Sequence, residues 1–127
     1  MLEPSERGVV SQTPPESPAL PAQAARPGDA RLPGTMASGE PFPDRIVDAV
    51  WERAAEIPGF DPQLWRLDAR NEAICRFDHG VTGTPFGWEI DHVVPVSLGG
   101  TDALANLQAL RIATNRRKGD TWPWHGP

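Results

Sequence analysis

The stretch Trp88-Glu89-Ile90-Asp91-His92-Val93-Val94-Pro95, with Gly99-Gly100-Thr101-Asp102, Asn106-Leu107 and Asn115-Arg116-Arg117-Lys118-Gly119-Asp120 behind it, decides the fold. Alternation and β-branched residues from Trp88 to Val94 predict a strand ending at Pro95, which has no N–H to give to a ladder. Leu98 to Ala105 reads as a loop pivoting on Gly99-Gly100, and Leu107 to Leu110 as a second short strand. Arg111 to Lys118 reads as a helix stopped by Gly119. Strand, loop, strand and helix fold back so that Asp91 on the strand and a residue on the helix face one spot. Asn115 is the best helix candidate.

The residue types at that spot point to phosphate chemistry. On a helix Arg111, Asn115 and Lys118 are spaced four and three apart and share a face, two cations beside one neutral oxygen. Asp91 supplies a hard anionic oxygen, and magnesium accepts such sparse protein ligation because water and substrate phosphate complete its shell. His92 is the candidate general base, since imidazole takes a proton from water near neutral pH. Neighbours on a strand point to opposite faces, so bringing Asp91 and His92 into one site requires the strand end to twist or bulge.

Outward from this stretch, Ile46, Val47, Val50, Trp51 and Ala54 recur at helical spacing after Pro43-Asp44 and predict an amphipathic helix ended by Pro58-Gly59. Asp61-Pro62 with Leu64, Trp65 and Leu67 predicts a short helix or turn and then a strand, before a turn at Arg70-Asn71-Glu72. Ala73 to Phe77 reads as a brief strand, and Asp78 to Pro85 as a loop. Residues 1–43 hold nine prolines and no aromatic before Phe42. A segment so poor in large apolar residues is expected to be a disordered tail, with the folded domain over 44–127. Met36 near its end is a candidate translation start.

The 127 residues give room for one domain and a tail, and the fold class expected is α+β. The longest apolar runs are far too short for a membrane span, and the early acids of Met1-Leu2-Glu3-Pro4-Ser5-Glu6 lead to an expected cytoplasmic location. A net charge of −5 excludes a surface that wraps nucleic acid all round, so such binding must be local. The local patch is Arg111, Arg116, Arg117 and Lys118, with no acid between residues 103 and 119. An ordinary solvated helix end is the plain alternative for the same cluster.

The anchors Asp91-His92, Asn106 fourteen residues on and Asn115 nine further, in their flanking sequence, resemble the HNH endonucleases in their His-Asn-Asn variant. The resemblance covers roughly residues 61–120, with its core motif at 86–120. It implies a ββα-metal (His-Me finger) core preceded by the amphipathic helix, and a metal-dependent endonuclease that hydrolyses phosphodiester bonds, in double-stranded DNA. It further implies that His92 activates water and that Asp91 and Asn115 bind one divalent metal. Asn106 would help orient His92 or brace the loop. Asn115 stands where many members have His, which favours Mg2+ or Mn2+ over softer ions. The paired zinc-binding cysteines of many relatives are absent, so the likeness is to the zinc-free branch.

Other residues have plainer readings. The single Cys75, with His79 and His125, matches no compact zinc spacing, and Cys75 reads as a small buried residue. Trp51, Trp65 and Trp88 read as core anchors, Trp122 and Trp124 as a cover for the back of the fold. The functional alternative is a catalytically silent module that binds nucleic acid or protein through the same fold.

Overall fold

The computed structural model describes residues 31–125 and is a small α+β domain of two helices and two antiparallel sheets. Helix α1 (Asp44–Arg53) leads into β1 (Ala55–Glu56), β2 (Trp65–Leu67) and β3 (Ala73–Cys75), a three-stranded sheet in the order β1-β2-β3. The second sheet pairs β4 (Trp88–His92) with β5 (Leu107–Arg111), and α2 (Ile112–Lys118) follows directly. Among the described residues no helix is long and apolar enough to cross a membrane.

Helix α1 stops at Arg53, short of Pro58-Gly59, because Arg66 captures its end. The buried Arg66 guanidinium donates to the Glu52 and Ala54 carbonyls at 3.1 and 3.0 Å, groups a helix end leaves without an internal partner. Asp68, just beyond β2, ties the two sheets together. One carboxylate oxygen accepts from Arg70 and Glu72 N–H at 2.8 and 2.9 Å, and the other from Arg111 N–H at 2.9 Å.

The core lies between the two sheets and α1. Trp51 and Trp88 are fully buried with ring centroids 5.6 Å apart, surrounded by Val50, Ile74, Ile90, Leu107 and Ala109. Both indole N–H groups are satisfied, by the Pro62 and Cys75 carbonyls, as buried indoles require. Cys75 is half-buried.

The expected domain boundary after Pro43 moves. Phe42 is buried in the core, Met36 packs against it, and Arg31 is buried with its guanidinium on the Thr35 carbonyl at 2.6 Å. Residues 31–43 therefore belong to the folded domain, because one large aromatic in the core is enough to anchor a segment whose average composition is poor. The rest of the predicted tail lies outside the described residues.

His79 packs against Trp88 with the two rings tilted and their centroids 4.8 Å apart, and burial pushes its imidazole below its ordinary value, with Glu89 and Asp44 pulling the other way. A histidine that resists protonation when folded binds more protons unfolded, so its contribution is complete above about pH 6.5 and is lost as pH falls towards the folded value. The urea midpoint is expected to drop between pH 7.5 and 5.5, and His79→Gln to reduce that drop. An equal drop in the variant would assign the acid sensitivity elsewhere.

Candidate active site

The site is built at the end of β4. The β4–β5 ladder runs in regular register from Trp88↔Arg111 to His92↔Leu107, so the strand reaches His92 without the bulge expected from sequence. Regular alternation sends Trp88, Ile90 and His92 to the core side, and Glu89 and Asp91 to the side covered by α2. Asp91 and His92 are therefore back to back across one strand end rather than on one face. The ladder stops at His92, two residues short of Val94, because Asn106 takes over. Its carbonyl accepts from Val93 N–H at 2.8 Å and its side-chain oxygen from Val94 N–H at 2.9 Å.

On the α2 side, Asp91 is 1% exposed and Lys118 3%. The Lys118 ammonium lies 3.3 Å from Asp91 Oδ1 and donates to the His92 carbonyl at 3.1 Å, while Gln108 donates to Asp91 Oδ2 at 2.9 Å. A buried carboxylate needs such partners, since an unpaired charge in the interior is strongly destabilising. Asn115, fully buried, gives its Nδ2 hydrogen to Glu89 Oε2 at 2.7 Å. Arg116 clamps both Glu89 oxygens at 3.1 and 3.3 Å. Gly34 lies against Glu89, where an added Cβ would stand 3.0 Å from Oε1 at a φ of +81°, so only glycine lets the 31–43 segment pass there.

On the core side, His92 is 1% exposed, its ring centroid 5.9 Å from that of Phe42 and its Nε2 2.8 Å from Asp102 Oδ1. Among the described residues no hydrogen bond joins Asn106 to the imidazole. Its Nδ2 donates to the Val94 and Thr101 carbonyls at 3.1 and 2.9 Å, so of its two expected roles it braces the loop directly. This brace draws Gly100 so close that an added Cβ would lie 1.7 Å from the Val94 carbonyl oxygen.

The basic patch needs correction. Lys118 is buried on Asp91, and Arg111 belongs to β5, where it donates to the Ala73 carbonyl and lies over Phe86. Lys118 is not presented to solvent as a phosphate contact, because its ammonium is packed inward on Asp91, whereas Arg111 keeps a quarter of its side chain exposed but lies on β5 rather than on the helix face with Asn115. Arg117 is exposed, and Arg116 is exposed but engaged with Glu89. Arg111 and Arg117 also line an open groove of about 420 Å³ with Thr82, Thr84 and Thr114, to which neither Asp91 nor His92 contributes.

The donor chemistry of Asp91 and Asn115 fits a hard divalent cation. Both can supply an oxygen donor on the α2 side of the hairpin, and the Lys118 ammonium 3.3 Å from Asp91 Oδ1 shows that the Asp91 oxygen attracts positive charge. With the Asn115 amide nitrogen committed to Glu89, any ligation by Asn115 would be through its Oδ1. Among the described residues no group of three or more His, Cys, Asp or Glu side chains is arranged to hold a metal.

Comparison with known proteins returns no matching family model, no matching curated protein and no matching solved structure. Four residues of the site went unread in the sequence: Glu89, Asp102 and Gln108, which hold Asn115, His92 and Asp91 respectively, and Gly34 beneath Glu89. The alternation Glu89-x-Asp91 was a usable signal, since two acids two apart on a strand share a face.

Proposed function

We propose that the chain is a metal-dependent endonuclease of the HNH type that hydrolyses phosphodiester bonds in double-stranded DNA. The observation that carries this reading is the pairing at the end of β4. His92 is tied through one nitrogen to a carboxylate, and the preceding residue, Asp91, lies on the side covered by the helix that bears Asn115.

In this reading His92 takes a proton from a water whose oxygen attacks phosphorus. The bond from phosphorus to the 3′ oxygen breaks, leaving a 5′ phosphate and a 3′ hydroxyl whose proton comes from solvent. Asp91 and Asn115 would hold one Mg2+ or Mn2+, which when bound stabilises the charge developing on the phosphate and the leaving oxygen. Glu89 orients the Asn115 amide, and Lys118 balances the Asp91 carboxylate. Arg117 and the exposed part of Arg116 meet the phosphate backbone, a contact that positions nucleic acid without reading its sequence.

The burial of His92 favours a second reading, the silent binding module, since a base must meet water. Supercoiled plasmid separates the two. Conversion to nicked or linear DNA in Mg2+ or Mn2+, abolished by a chelator, is expected for the nuclease. No conversion in either metal, with the protein shown to be folded, would replace it with the silent module.

A further inference from the structure

We infer that Asp102 is the positioning residue for His92: it fixes the imidazole through Nε2 and makes Nδ1 the working nitrogen. The 31–43 segment completes the device through the amide of Ala37. The kinetic half of this inference rests on the nuclease reading, and the tautomeric half does not.

The contact is 2.8 Å from Nε2 to Asp102 Oδ1, in a side chain that is only 2% exposed. An ionised carboxylate only accepts hydrogen bonds, so Nε2 is the nitrogen that carries the proton. In neutral imidazole the lone pair then resides on Nδ1, because the bond made by one ring nitrogen sets the role of the other. Nδ1 makes no hydrogen bond among the described residues. A base needs that arrangement, one nitrogen held and the other kept for the proton.

Asp102 is itself held from two sides. Ala37 N–H reaches both carboxylate oxygens, at 3.0 and 3.2 Å, across 65 residues of sequence. On the other side Asn106 pins the Thr101 carbonyl at 2.9 Å, one residue before Asp102. Asn106 thus acts on His92 at one remove, by bracing the loop that carries its partner. The ring has a further stop in Phe42, also from the 31–43 segment. Asp102 lies in a half-buried loop with more than a third of its side chain exposed. A carboxylate kept there, fastened by a contact from 65 residues away and by a brace on the residue before it, is placed for the imidazole rather than for packing.

Two measurements on the full chain test this, with Asp102→Ala and Asp102→Asn. The first is a two-bond proton–nitrogen correlation spectrum of the His92 ring. The wild type is expected to show the proton on Nε2, Asp102→Ala to lose that preference, and Asp102→Asn to keep it, because the amide oxygen still accepts. The second is plasmid cleavage. Asp102→Ala is expected to lower kcat about 100-fold, the penalty of a misplaced reacting group, with KM unchanged. Asp102→Asn is expected to fall between, since its amide also faces the Ala37 donor. A wild-type proton on Nδ1, or wild-type kcat in Asp102→Ala, would overturn the inference. A wild-type chain inactive in every metal would sink the nuclease reading alone, with the ring spectra still judging Asp102.

Discussion

Trp88→Ala is expected to lower folding stability by about 3–5 kcal/mol, a large part of what a domain this size has. Two losses combine. The indole is fully buried and fills the space between Trp51, 5.6 Å away, and His79, 4.8 Å away. Its N–H holds the Cys75 carbonyl at 2.9 Å, so the truncation also strands a β3 acceptor. The urea midpoint of the variant should fall with little change in slope. A loss below about 1 kcal/mol, typical of surface positions, would show that the core is not centred on this residue.

His92→Ala is expected to reduce metal-dependent cleavage by roughly 10²- to 10⁴-fold, the usual contribution of a positioned general base. The ring is buried against Phe42, so alanine also leaves a cavity. His92→Gln keeps most of the volume and provides the control, because a carboxamide cannot take the proton from water. Both variants should retain DNA binding, since the exposed Arg117 is untouched. Single-turnover cleavage measured alongside thermal melts separates the two losses. Wild-type rates in a folded His92→Gln protein would remove His92 from the base role.

The order of elements was legible because its signals are local. Pro43-Asp44 and the spacing of Ile46, Val47, Val50 and Trp51 mark α1; Gly119 marks the end of α2. Strand ends were less legible where a distant group sets them. Arg66 ends α1 early, and Asn106 ends the β4 ladder at His92. Asp91, His92, Asn106 and Asn115 were named as a group, yet their pairing was not. Asp91 meets Lys118 and Gln108, Asn115 meets Glu89, and His92 meets Asp102. Compositional averaging over residues 1–43 concealed Phe42, whose single ring outweighs the prolines around it.

By itself, then, the sequence determined an α+β chain whose strand, loop, strand and helix carry acid, imidazole and amide at the strand end and on the helix. Periodicity and backbone breakers act within a few residues and need no partner to be read. Tertiary structure alone decided that Lys118 turns inward, that Arg111 joins β5 and reaches the Ala73 carbonyl, that His92 and Asp91 take opposite sides of β4, and that Ala37 reaches Asp102. Those outcomes depend on which groups can satisfy a buried charge or a stranded N–H, and the groups that do so lie up to 65 residues away.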